Sequence, residues 1–274
     1  MTHTIIIPHR NRNRHLSLCL EAIHRSADLC GVTDYQILVV DNGSDCAPEC
    51  AGRVRIVRSF APMPVFNKSA LLNIGLARVT GGVVTVLDAD AVVGPRFLEG
   101  VLPLEDSSTN RVCYRVRYLS EDIAASLCSM DSPGLRARAL DALRDKYNAP
   151  GQPRPAWEAY RFPDRDRYEP QEQPWGNSQF SMRRCDLEGL RYDEAMAGKG
   201  MEDIDFNRLV YNRFGANFRG RIWTDADHAM FHLRHPKAPD FDDEALKAAN
   251  LARYKARWPY SCERLETMGK DPWS

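Results

Sequence analysis

The 274-residue sequence has no charge excess, no long apolar run, no glycine-rich phosphate loop and no paired cysteine spacing. Lysine plus arginine (37) equals aspartate plus glutamate (37), so no global field recruits nucleic acid or an acidic membrane surface. Phosphate binding therefore falls to local basic clusters. No apolar run approaches the roughly 20 residues that a membrane span requires. At the start, Met1-Thr2-His3 runs directly into Ile5-Ile6-Ile7, without a basic leader. The expectation is a cytoplasmic protein with no membrane span and no nucleic-acid partner. Of the eight cysteines only Cys46 and Cys50 lie close together, and no CxxC pair suggests zinc. Reduced thiols, several of them small core residues, are expected. No GxGxxG follows the first apolar run, which disfavours a Rossmann dehydrogenase. No GxxxxGK followed by Ser or Thr occurs, which disfavours a P-loop enzyme.

What is present is an alternation. Ile5–Ile7, Gln36–Val40, Val54–Val57 and Val83–Leu87 read as strands, apolar enough to be buried on both faces as in a parallel sheet. Between them, about 15 residues from His15 carry Leu16, Leu20, Ile23 and Ala27 at helical spacing, and Ala70–Ala77 forms a short helix closed by Gly81-Gly82. Hydrophobic residues make up 43% of the chain, enough for a substantial core. The class is α/β, a mostly parallel central sheet flanked by helices in one nucleotide-binding domain. About residues 1–103 form the nucleotide-binding half. From Leu104 to Pro174 the pattern degrades. Ile123–Tyr147 forms one or two helices broken near Ser132-Pro133-Gly134, and Gly151–Pro174 is rich in proline, arginine and aromatics. That stretch reads as an insertion or mobile segment bordering the acceptor. Regular structure resumes at Trp175 and closes with an amphipathic helix over Asp243–Trp258.

Folds of this kind bind ligands beyond the carboxyl ends of their strands. Three polar sets fall there: Pro8-His9-Arg10-Asn11-Arg12, Asp41-Asn42-Gly43-Ser44 and Asp88-Ala89-Asp90. Asp-x-Asp alone says little, because it recurs at Asp164/Asp166, Asp203/Asp205, Asp225/Asp227 and Asp240/Asp242. Only Asp88/Asp90 directly follows a buried strand. A divalent cation held there, Mn2+ or Mg2+, would bridge a diphosphate and neutralise charge on a departing nucleotide. Arg10, Arg12 and Lys68 would supply cationic partners. Asp41 either accepts hydrogen bonds from a nucleobase or ribose, or caps the Asn42-Gly43 turn. Two glycines, Gly198 and Gly200, precede the acidic start Glu202-Asp203-Ile204-Asp205 of a helix running to about Phe214. Acids at that position either complement the helix dipole or supply an ionised general base for an acceptor hydroxyl. His232 and His235 offer imidazoles that could complete a metal shell.

Four segments in this order carry a family resemblance. Ile5-Ile6-Ile7-Pro8-His9-Arg10-Asn11-Arg12 resembles the opening strand of the β-1,4-galactosyltransferases, and Phe66-Asn67-Lys68-Ser69-Ala70-Leu71-Leu72-Asn73-Ile74-Gly75 resembles their second donor-binding segment. Asp88-Ala89-Asp90 is similar to their Asp-Val-Asp metal motif, and Gly200-Met201-Glu202-Asp203 to their Gly-Gly-Glu-Asp signature. The broader relatives are bacterial inverting transferases with the GT-A fold. The resemblance implies that Pro8, His9, Arg10, Arg12, Asp41, Phe66, Asn67, Lys68, Asp88, Ala89, Lys199 and Gly200 line the nucleotide-sugar site. Asp90, with Asp88, would hold manganese. Asp203 would be the base, and Glu202 would help bind the acceptor. The family's third metal ligand is a histidine about 29 residues after the base; 232 − 203 = 29 selects His232, with His235 its rival. The sequence departs from the family at Lys199, where a tryptophan is usual, at His9, where a phenylalanine is usual, and at Trp175-Gly176-Asn177 in place of Phe-Gly-Gly. These readings add up to inverting, metal-dependent transfer from a nucleoside-diphosphate sugar, UDP-linked, to a carbohydrate or other hydroxyl acceptor. The alternatives are a non-catalytic nucleotide-sugar-binding protein and a nucleotidyltransferase.

Overall fold

The computed structural model describes residues 2–48, 52–59, 65–105, 109–148, 179–223, 225, 227–235 and 243–259. The proline- and arginine-rich stretch 151–174, with Trp157, Tyr160 and Tyr168, and Trp175-Gly176-Asn177 lie outside them.

The strands are β1 (His3–His9), β2 (Tyr35–Asp41), β3 (Val54–Arg58), β4 (Val83–Val86), β5 (Ala91–Val93), β6 (Arg111–Tyr114), β7 (Val116–Tyr118), β8 (Phe180–Arg183), β9 (Gly220–Trp223) and β10 (Met230–His232). The α-helices are α1 (Asn13–Cys30), α2 (Lys68–Leu76), α3 (Glu121–Ser129), α4 (Pro133–Asn148), α5 (Glu202–Phe214) and α6 (Glu244–Arg257). Seven strands form one sheet in the order β3-β2-β1-β4-β8-β6-β9. The first four are parallel to one another, β8 runs antiparallel to both β4 and β6, and β9 is parallel to β6. A separate three-stranded sheet has the order β5-β10-β7.

Successive side chains of a strand point to opposite faces, so the all-apolar run Ile5-Ile6-Ile7 feeds two cores. Ile5 and Ile7 join Ile37 and Val39 against Leu16, Cys19 and Ile23 of α1. Ile6 joins Leu38, Val40 and Val86 against Leu71, Leu72 and Leu76 of α2 and Phe206 and Val210 of α5. Close contact on the second face depends on Gly75, where an added Cβ would lie 2.5 Å from Ile6 Cγ2.

Residues 109–148, read from sequence as part of an insertion, instead supply β6 to the main sheet and β7 to the small one. The helical stretch after them is two helices, α3 and α4, parted at 130–132. Among the described residues, Cys19, Cys30, Cys46, Cys113, Cys128 and Cys185 are free thiols.

Candidate active site

The small sheet exists to bring distant residues together at the end of β4. β10 pairs antiparallel with β5, setting His232 opposite Ala91, and the amide of Leu233 donates to the carbonyl of Asp90 at 2.9 Å. Asp90 is buried. Its Oδ1 lies 3.4 Å from His232 Nε2 and its Oδ2 3.0 Å from His235 Nε2. One oxygen and two imidazole nitrogens of these three residues all fall within 4.8 Å of one another, a possible metal site. The donor set fits an ion that accepts both nitrogen and oxygen, as Mn2+ does. Mg2+ prefers an all-oxygen octahedron and fits less well. Asp90 Oδ1 is buried without a hydrogen-bond partner, as a ligand oxygen would be. Burial alone would raise this carboxyl's pKa, but His232, His235 and the Arg12 guanidinium together hold it well below the usual range. His232 and His235, rivals in sequence, both belong to the cluster. His15, on the first turn of α1, sets its ring edge-on to His235 with centroids 5.5 Å apart.

The loop after β1 meets this cluster through Arg12. Arg12 Nη1 donates to Asp90 Oδ2 at 2.6 Å and also touches His235 Nε2. Its backbone is fixed from below. Arg12 N–H donates to His9 Nε2 at 3.2 Å, which leaves the imidazole proton on Nδ1, 2.9 Å from Asp41 Oδ1. Asp41 is fully enclosed, with Ser44 Oγ 2.5 Å from Oδ1 and Ser44 N–H 3.1 Å from Oδ2. Between its two proposed roles, ligand contact or turn cap, the geometry selects the cap. Burial would raise the Asp41 pKa, but the hydrogen bonds from Ser44 and His9 outweigh it and keep the carboxyl low. His9 and Asp41 thus form the floor that orients Arg12. Pro8 is buried in β1 opposite Val40, and Asn11 turns the chain at a left-handed φ of 55°, held by Ser44 Oγ at 2.8 Å.

Asp88, two residues before Asp90, faces a different set. Its Oδ1 lies 2.9 Å from Lys68 Nζ, and its Oδ2 accepts from Gln179 Nε2 at 3.1 Å. The cluster around Asp90 does not include it. Lys68 opens α2, and its Nζ also reaches Asp203 Oδ2 at 3.3 Å. One ammonium therefore bridges the metal loop and the start of α5. Burial would lower the Lys68 pKa, but Asp203 and Asp88 reverse this and hold it well above normal, so the bridge stays cationic. Asp203 Oδ1 and Glu202 Oε2 are buried without hydrogen-bond partners. Burial, opposed by Lys68, raises the Asp203 pKa. Burial together with the Asp203 charge pushes Glu202 up to about 7.

Other residues of the 66–75 segment fasten α2 in place. Asn67 caps α2 by accepting from Ala70 N–H at 3.0 Å and donates to Glu194 O at 2.7 Å. Asn73 reaches Tyr192 O and Glu194 Oε1. These asparagines stitch α2 to the 192–196 segment, over which Tyr192 stacks on Phe206 with centroids 3.9 Å apart. Phe66 packs, partly buried, against the second core, and Ala89 is buried beside the two acids. Lys199 and Gly200 lie in the loop entering α5. Gln179, Tyr192 and His15 escaped the sequence reading, because each is an isolated residue whose neighbours come from other strands and helices.

Residues 4–126 match the family described as Glycosyl transferase family 2. The TarS protein of S. aureus, solved as residues 1–349 with UDP-GlcNAc, superposes with a TM-score of 0.56 at 11% identity, covering 89% of this chain and 61% of that one. The mannosyltransferase PcManGT of Pyrobaculum calidifontis, solved with GDP-Man and Mn2+, gives 0.54 at 18% identity, covering 93% and 63%. The fold is that of the GT-A glycosyltransferases. This GT-A chain spans about three-fifths of the length of those two structures. No curated protein matches it significantly in sequence. No described helix is long and apolar enough to cross a membrane.

Proposed function

We propose that this GT-A chain is an inverting, metal-dependent transferase that moves a sugar from a UDP-sugar, of the galactose or N-acetylgalactosamine type, to a hydroxyl acceptor. The observation that carries the reading is the Asp203 carboxylate at the start of α5. One oxygen lies against Lys68, whose ammonium also contacts Asp88 of the acidic loop, and the other is buried and unpartnered. A carboxylate so placed can take the proton of an acceptor hydroxyl. Its raised pKa strengthens it as a base while Lys68 keeps it ionised. Glu202, whose pKa burial and the Asp203 charge raise, can in its protonated form donate a hydrogen bond that orients the acceptor. Asp90, His232 and His235 would hold the cation. A bound divalent ion supplies Lewis-acid neutralisation of the departing diphosphate. Arg12 and Lys68 add fixed positive charge beside it. Support from outside the chain is of the same kind: one structural neighbour is bound to UDP-GlcNAc, and another to GDP-Man with Mn2+.

The test has two parts. Thermal shift with UDP-galactose, UDP-N-acetylgalactosamine, UDP-N-acetylglucosamine and GDP-mannose, each with and without Mn2+, should show stabilisation by uridine sugars that needs the metal. Stabilisation by GDP-mannose alone would overturn the uridine assignment. Turnover of Asp203→Asn with the stabilising donor should fall about 100- to 10,000-fold while UDP affinity holds. If Asp203 only complements the helix dipole, the loss would be confined to about 0.3–1 kcal/mol of stability. Wild-type turnover in this variant would sink the base assignment.

A further inference from the structure

We infer that Asn250, on α6, is a positioning residue for the transfer reaction: its buried amide ties down the loop that leads into the first turn of α5, where the base Asp203 stands. The inference rests on the reading of Asp203 as base. The loop from Met196 to Met201 has an improbable backbone. Gly198, Gly200 and Met201 take φ values of 72°, 106° and 69°. Met201 carries a side chain in that region, and such a conformation persists only where the surroundings over-determine it.

They do so from two sides. From the α2 side, Gly198 N–H donates to Phe66 O at 3.0 Å, and Ser69 Oγ lies 3.5 Å from Met196 O. From the other side comes α6. Asn250 is 2% exposed, and its Nδ2 lies 2.9 Å from Ala197 O and 3.1 Å from Gly200 O, with Lys199 O at 3.5 Å. Carbonyls only accept, so the NH2 end of the amide faces the loop, and its two hydrogens serve its two nearest carbonyls. Asparagine is a poor residue for a helix interior, and here its side chain bonds away from its own helix. Tyr254, one turn on, is fully buried against Met196 and Met201. The end of the same helix grips the far side of the first turn of α5. Buried Asp205 accepts from Arg257 Nη1 and from Trp258 Nε1, each at 2.7 Å. Asp203 lies between these two points of attachment, Gly200 and Asp205.

The geometry of a base matters on a fine scale, since a displacement of about 1 Å can cost roughly 100-fold in rate. Asn250→Leu keeps the volume and removes the donor; Asn250→Ser keeps one donor on a shorter arm. Both are compared with the wild type in hydrogen exchange, in Mn2+-dependent UDP affinity, and in kcat and KM with the panel donor that is turned over. The expected result is faster exchange at 198–205 with β1 to β4 unchanged. The kcat should fall about 10- to 100-fold in Asn250→Leu and less in Asn250→Ser, with KM for the donor and UDP affinity unaltered. Wild-type exchange and kcat in either folded variant would overturn the proposal, as would a kcat loss matched by an equal loss of UDP affinity. If Asn250→Leu fails to fold, Asn250→Ser decides. If Asp203→Asn retains turnover, the base reading fails by itself. The exchange data still report on the tie between Asn250 and the loop.

Discussion

Asp203 and Asp205 read alike in sequence and end in opposite surroundings. Asp203 opens toward Lys68 with a free oxygen, whereas Asp205 is wholly buried and spends both oxygens on Arg257 and Trp258. The same holds for Asp88 and Asp90. Adjacent in the motif, they divide between the lysine bridge and the imidazole cluster. Asp90→Asn should therefore weaken Mn2+ binding at least about tenfold by calorimetry without nucleotide, whereas Asp88→Asn should leave it essentially unchanged. Equal losses would put both carboxylates on the ion. Residue types were legible in the sequence: Arg12 and both histidines gather around Asp90, and Asp88 and Asp203 around Lys68. What each oxygen touches was not. That depends on partners such as Gln179 and Arg257, which are 91 and 52 positions away. Asp41 shows the same limit, since only the packed fold reveals that its buried carboxylate accepts from His9 and Ser44.

At the scale of elements, the long apolar strands and periodic helices were readable because each carries its own signal. β5, β7 and β10 have three residues each, too few for a period, and they form by pairing across more than 100 positions. β8 escaped for a related reason: its antiparallel place between β4 and β6 is a matter of topology, which no local pattern encodes. Helix α2 was read correctly, but its closeness to β1 was not. Gly75→Ala tests that contact. Alanine gains up to about 1 kcal/mol of helix propensity, yet its Cβ would fall 2.5 Å from Ile6 Cγ2, and overpacking costs about 1–3 kcal/mol. The clash should win, giving a net loss of stability in urea unfolding. A more stable variant would mean that α2 can move off the sheet freely.

For the molecule as a whole, stability against pH should reflect two buried groups of opposite sign. His3 sits fully buried beside Thr85, and burial lowers its pKa to about 4. As pH falls through 6.5 the unfolded chain takes up a proton that the folded one refuses until about pH 4, so this group removes stability over that window. Glu202 is raised to about 7 from 4.5, so the folded chain protonates first and gains stability as pH falls from 7 to 4.5. Over their shared window the two slopes oppose. His3→Gln should uncover the difference: relative to wild type its unfolding free energy should rise by about 1.4 kcal/mol per pH unit between pH 6.5 and 4.5. A difference independent of pH would remove His3 from the account. The pairing of β5 with β10 has a consequence of another kind, in the order of synthesis. The Asp90 carboxylate leaves the ribosome early, with β1 to β4, whereas His235 follows 145 positions later. A nascent chain can assemble the parallel half of the sheet and its polar edge but holds neither imidazole. Such an intermediate carries Asp90 without the rest of the Asp90, His232 and His235 cluster, which closes only when β10 has been made and has paired with β5.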